Sequence, residues 1–498
     1  MFKARTLALA CAAVFAGQSG LALAESKTDQ MKAQIDALQR QIDSMKSSLS
    51  DVKTEQSSQQ ASLNKVSAAQ AKQAESPSVS MVPGDDLIFQ VGKARVQIYG
   101  HVDVSLDSMT NGLSGAVGAK GSNGWMGDVS SNLSFFGMRG SRPLTDDLSG
   151  VFQFESEVAY ASTPGTSDKA PDTAAQKFGL GGRNSFVGLQ SKAAGAVKLG
   201  KTDTPYKLST ARLDPFASTV GDYNSIMGNT GGDTRTEFDA RMSHSIWYES
   251  PKFNGVQVSA LYSPGQNRST DGLRYPMGEP SCAGGNTGDC GDGAWKDAYS
   301  LAATYDNGSL YATAAYEMHK NVNRSGDDNA PGSVGIANED AWKLGAQYKF
   351  TSRTILNAVF EKLKRSAITT AEDERSRNGT WLALTQYITD KDALNFGWAH
   401  AGRTPGQPVS GLVLMNGQAA PVGASDNAAN MFDIGYKHWF DKKTTVYAVY
   451  SQLNNGTNAH YALGPGGHGI ATRNQDGDGN VFEGNRVKAF SVGMTYDF

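Results

Sequence analysis

The sequence predicts an all-β chain, a 16-stranded antiparallel transmembrane β-barrel with an N-terminal α-helical coiled coil. Three observations predict it. Beyond Asp85, sixteen runs alternate apolar and polar residues with period two. Their connections alternate between short turns and long Gly/Asn/Ser-rich loops. Before Asp85 the apolar period is instead about 3.5 residues.

Residues 1–24 start with Lys3 and Arg5, continue through an apolar run from Leu7 to Phe15, and end at Ala22-Leu23-Ala24 before Glu25. A charged start, a short apolar stretch and an A-x-A-like site read as a secretory signal peptide, so export is expected. Residues 25–75 read as a coiled coil lying in the periplasm. Ile35, Ile42 and Leu49 take heptad position a, and Leu38, Met45 and Val52 take d. One helix cannot bury so narrow a seam alone; it needs partner helices. Ile at a with Leu at d leans toward dimers, and polar Gln56 and Gln59 in the same register leave the strand number open. Pro77, Pro83 and Gly84 then break the helix, making 76–93 a linker.

Residues 94–498 form the predicted barrel. The runs centre near Tyr99, Gly137, Phe154, Val187, Leu199, Trp247, Ser259, Ala302, Ala314, Gly345, Val359, Leu384, Gly397, Gly435, Ala448 and Gly493. The last run is the clearest: Phe490, Val492, Met494, Tyr496 and Phe498 share one parity, with Ser491, Gly493, Thr495 and Asp497 on the other. Short turns fall at Thr145-Asp146-Asp147, Asp306-Asn307-Gly308, Thr389-Asp390-Lys391 and Asp441-Lys442-Lys443, and long loops at 264–296, 320–338, 404–428 and 455–485. A soluble sandwich also alternates, but it does not sort its turns into one short and one long set. Lipid offers no hydrogen bonds, so a membrane-spanning sheet must close on itself. Tyr348/Phe350, Trp439/Phe440 and Tyr496/Phe498 would form interfacial girdles.

Composition narrows the function. With 46 Lys and Arg against 49 Asp and Glu, the net charge of -3 gives nucleic acid no basic surface to meet. Apolar residues at 39% are too few for a polytopic helical membrane protein. Three cysteines occur; once Cys11 leaves with the signal peptide, Cys282 and Cys290 remain as a close pair, expected to form a disulfide in an oxidising compartment. The stretch from Gly464 to Gly469 fits G-x-G-x-x-G but sits in a loop, and Asn474 to Asn480 starts like a calcium loop without the closing Glu. No zinc-protease or hydrolase-elbow spacing occurs, so no metal, no cofactor and no enzyme activity are expected.

Four stretches carry a family resemblance: Val96-Gln97-Ile98-Tyr99-Gly100, Ser131 to Glu157, Gly181 to Tyr206, and the terminal strand ending in Phe498. In these the chain resembles a Gram-negative trimeric porin of the outer membrane. The resemblance implies a homotrimer in the outer-membrane bilayer, passing small hydrophilic solutes and ions through water-filled pores. It implies that the C-terminal strand is read by the barrel-assembly machinery, and that the third external loop, here about 202–243, folds inward as a constriction. That loop carries Asp214, Asp222, Asp233 and Glu237, which would face a cationic wall. Strand parity puts Arg139 on the inner face, opposite to Phe136 and Met138, while Arg183, His101 and Lys201 match wall positions of the family. The coil departs from general porins and resembles a subset with a periplasmic extension, some preferring anions or small organic acids. Two rival readings stay open: a substrate-selective channel for small anions or organic acids, and a structural tether in which the coil binds peptidoglycan.

Overall fold

The computed structural model describes residues 26–73, 79–82, 84, 86–110, 125–158, 160–161, 182–228, 238–264, 295–323, 336–366, 376–403, 412–413, 426–456, 459, 461–463, 468, 481–482, 484 and 486–498. The signal-peptide reading, Cys282, Cys290, Asp233, Glu237 and the loop motifs at 464–467 and 474–480 lie outside the described residues.

The chain divides into two compact units, Met1–Ser78 and Val79–Phe498. The first contains helix α1, Ser26–Gln73, 48 residues without Gly or Pro. At about 1.5 Å per residue it is roughly 72 Å long. Ile35, Leu38, Ile42, Met45, Leu49 and Val52 are all exposed, so the apolar seam is unburied within the chain.

The second unit is a closed antiparallel barrel of sixteen strands among the described residues. They are β1 Ala94–Thr110; β2 in two segments, Met126–Ser131 and Phe135–Pro143; β3 Leu148–Glu157; β4 Ser185–Ser191; β5 Gly195–Asp203; β6 Arg241–Glu249; β7 Val256–Ser263; β8 Asp297–Asp306; β9 Leu310–Asn323; β10 Ile336–Lys349; β11 Thr354–Ser366; β12 Arg377–Tyr387; β13 Asp392–Ala401; β14 Ala429–Trp439; β15 Thr444–Asn455; and β16 Arg486–Asp497. Each predicted centre lies in its strand. β16 closes on β1, from Lys488 opposite Thr110 to Asp497 opposite His101. The seal ends with Phe498, whose N–H and C=O exchange bonds of 3.1 and 3.2 Å with Gly100. Turns and loops alternate as expected, but the loop expected at 320–338 shrinks because β9 runs to Asn323 and β10 starts at Ile336.

Alternation places opposite chemistry on the two faces. On β10, Trp342, Leu344 and Tyr348 point outward and are exposed, while Lys343, Gly345 and Gln347 point inward and are buried. A belt of exposed apolar side chains on every wall suits lipid and would aggregate in water. One position departs from the sequence reading, and one strand is interrupted. Trp439 shares the inward register of Asp433 and Gly435 and stacks on Tyr387 at 5.7 Å, so only Phe440 of that pair is a girdle side chain. β2 breaks at Asn132–Ser134, where Leu133 takes φ 54°. Asn132 turns inward there, and its amide donates to Asp103 (3.1 Å), Ser105 (2.9 Å) and Tyr447 (3.1 Å), so the break leaves that donor satisfied.

Below the seal, two short strands, Val79–Met81 and Leu87–Val91, extend the sheet from the first residues of β1. Lys443 in the β14–β15 turn pairs with Asp86 beside this ribbon at 3.3 Å.

Candidate functional site

The β5–β6 connection fills much of the barrel interior. Thr204 caps a short helix, α2, Pro205–Thr210, by accepting from the Lys207 N–H at 3.2 Å, and Pro205 occupies its first turn, where a missing N–H costs nothing. The loop then binds itself through two carboxylates. Asp214 accepts from the N–H groups of Phe216 (2.8 Å) and Tyr223 (3.0 Å). Asp222 accepts from those of Ser218 and Asn224, each at 2.9 Å.

So folded, the loop presents Leu213, Phe216, Val220, Ile226 and Met227, all fully buried, to the wall. Trp381 of β12 is the main counterpart: Phe216 packs edge-on at 6.2 Å, Tyr223 lies at 5.8 Å, and the indole N–H donates to the Leu213 carbonyl at 3.0 Å. Gly345 and Gly435 leave room for the loop, since a Cβ there would stand 2.6 Å from Leu213 and 2.9 Å from Phe216. Polar ties complete the seat. Ser300 accepts from the Tyr206 N–H (3.0 Å), Tyr311 donates to the Ser209 carbonyl (2.6 Å), and Glu361 accepts from the Gly228 N–H (2.9 Å). Arg212 pairs with Asp306 and Gln347, each at 2.9 Å, while Lys343 pairs with Asp239 and Arg377 donates to the Ile226 carbonyl. The loop is therefore fixed to the inner faces of β8 through β14.

The loop acids do not behave as the sequence reading expects. Asp214 and Asp222 are buried, spend their oxygens on loop amides, and lie near Asp433 of β14. Burial, with Asp222 nearby, pushes the Asp214 carboxyl well above the usual carboxylate range. Burial also raises Asp222. Asp239 is pushed up to about 6 by burial despite the opposing ammonium of Lys343.

The other wall carries a connected polar column. Arg139 is exposed, donates to Gln97 at 3.0 Å and lies over the Tyr99 ring at 4.6 Å. The Tyr99 hydroxyl donates to Glu155 at 2.8 Å, and Glu155 stands 3.8 Å from Arg183. The Arg183 guanidinium lies over Phe135 at 4.7 Å, and that ring stacks on His101 at 5.8 Å. His101 also pairs with Asp497 at 2.7 Å. Arg139, Arg183 and His101 thus belong to one patch. Lys201 continues the alternation of outward-facing Val197 and Leu199 on β5, beside a bulge whose extra residue lies in β6 between Met242 and Ser245. Lys198 holds the inward position on that strand, paired with Glu249 at 2.8 Å. Sequence reasoning missed Trp381, Lys343, Glu361 and Arg377; the inward parity of β10–β12 was the signal that marked the three charges.

The profile of the family described as Gram-negative porin matches residues 61–458. An outer membrane porin protein of Bordetella pertussis is 26% identical over 65% of this chain and 77% of its own length. The outer membrane porin PhoE of Escherichia coli is 23% identical over 73% of this chain and 84% of its own. The solved anion-selective porin from Comamonas acidovorans superposes with a TM-score of 0.56 at 19% identity, covering 81% of this chain and all of that one.

Proposed function

The chain belongs to the Gram-negative porin family, an outer-membrane channel for passive solute diffusion, and on that premise we propose that its filter favours small hydrophilic anions. The observation that carries this is the asymmetry across the interior. Arg139 stands exposed on one wall, whereas Asp214 and Asp222 of the facing loop are buried and drawn toward their protonated forms. A low-dielectric wall focuses the field of such a cation into the water beside it. Anions are concentrated and cations repelled, while long apolar solutes meet ordered polar groups they cannot satisfy. The named anion-selective relative of similar fold agrees with this reading.

The test is the reversal potential of single channels in planar bilayers under a tenfold potassium chloride gradient. Chloride preference that falls in Arg139→Gln and Arg183→Gln supports the filter. Cation preference in the unaltered protein rejects it. Micromolar block by a small organic acid would shift the reading to a substrate-selective channel.

We also propose that three barrels associate and that three copies of α1 join their exposed seams in the periplasm, burying Ile35, Leu38, Ile42, Met45, Leu49 and Val52 against one another. The β16 strand ending in Phe498 serves as the signal for the assembly machinery. Binding of the coil to peptidoglycan is the tether reading: deleting 25–83 would then loosen the envelope without changing permeability.

A further inference from the structure

The outward face of β9–β11 changes character near its long-loop end. Leu344 and Phe360, paired across β10 and β11, belong to the exposed apolar belt. One row further out, Lys362 pairs with Trp342, which packs on Tyr316 at 4.5 Å. In the next row Lys364 pairs with Asp340. Lys320 of β9, still further out, lies over the Tyr299 ring at 5.1 Å. Tyr and Trp side chains settle at the boundary between hydrocarbon and headgroups. The row beginning with Lys362 therefore stands where lipid phosphates lie.

Lys362 and Lys364 are both exposed, and among the described residues neither makes an ion pair or hydrogen bond. Their Cα atoms are two strand residues apart, roughly 7 Å, within reach of one phosphorylated headgroup. Asp340 faces them and interacts electrostatically with both, but among the described residues it makes no close ion pair or hydrogen bond with either lysine, so both ammoniums keep their donors.

We propose that Lys362 and Lys364 form a binding surface for a phosphate-bearing lipid headgroup of the outer leaflet, with Trp342 against its acyl-chain boundary. Charge complementarity and depth select this occupant. A protein partner would have to meet two lysines directly above a lipid-exposed belt. A lysine near a charged membrane surface contributes about 1 kcal/mol, so removing both weakens binding about thirtyfold.

The experiment uses the full chain in neutral-lipid nanodiscs, titrated with a diphosphorylated glycolipid and with its dephosphorylated form. Lys362→Gln/Lys364→Gln is expected to bind the phosphorylated lipid about thirtyfold more weakly, Lys442→Gln in the β14–β15 turn to bind normally, and Asp340→Asn to bind more tightly. The dephosphorylated lipid should bind the unaltered protein as weakly as the double variant binds the phosphorylated one. Unchanged conductance of the double variant confirms its fold, because both lysines face away from the channel. Equal affinity of the double variant and the unaltered protein overturns the proposal. So does inorganic pyrophosphate binding as tightly as the lipid.

Discussion

Trp381→Ala tests whether the β5–β6 loop is a seated constriction. Trp381 is fully buried between the β12 wall and the loop. Truncating a buried Trp to Ala costs about 3–5 kcal/mol through lost burial and the cavity left behind. It also leaves the Leu213 carbonyl without its donor. Other ties remain at Ser209, Gly228 and Asp239, so the cost falls on local opening of 211–227 rather than on the barrel. At about 1.4 kcal/mol per tenfold change, the open population of that segment rises roughly 10²- to 10³·⁵-fold. Amide hydrogen exchange on the folded protein reads this directly, and single-channel recordings should show larger, noisier currents. Trp381→Phe keeps most of the ring but loses the donor, so it should fall between, at about 1–3 kcal/mol. Unaltered exchange at 211–227 with unaltered current noise in Trp381→Ala would refute the seated loop.

Further tests address other parts of the argument. Gly345→Leu drives a side chain into buried Leu213 and should cost about 1–3 kcal/mol, seen as faster exchange at 208–214 with the barrel intact. Arg139→Glu reverses one charge; at roughly 7 Å in water each unit charge is worth about 0.6 kcal/mol, so anion permeability falls and cation permeability rises about sevenfold each, and the anion-to-cation ratio should drop about fiftyfold in reversal-potential measurements. The Asp239 carboxyl sits near 6, above its usual range, so the folded loop takes up a proton that the released loop does not. Loop stability is then greatest below about pH 4 and declines as pH rises through about 6; exchange corrected for intrinsic rate should reveal less opening at pH 5 than at 7.5, and Asp239→Asn should flatten that difference. Ile42→Asp should break the coil yet leave the barrel trimer, so loss of heat-resistant trimers on a gel would contradict the assembly proposed.

The barrel was legible because lipid enforces strict alternation, and every wall repeats it. Parity alone put Arg139 on the inner face. What it could not reveal was where an inward loop spends its charges. Asp214 and Asp222 look like pore acids in sequence, yet their short side chains are positioned to hold loop amides two to nine residues away. Lys201 was matched to a wall position by resemblance, although the parity it shares with exposed Val197 and Leu199 turns it outward. Trp439 reads as a girdle residue by type but belongs to the inner face by register. The N-terminal helix was legible from its 3.5-residue apolar spacing, and α1 runs unbroken through those positions.

The ribbon ahead of β1 bears on mechanics. Among the described residues Val79–Met81, the first segment of the barrel unit, is held by three residue pairs, against eleven between β15 and β16. Under tension the weaker seam peels first, one rung at a time, lengthening the leash before the ring feels strain.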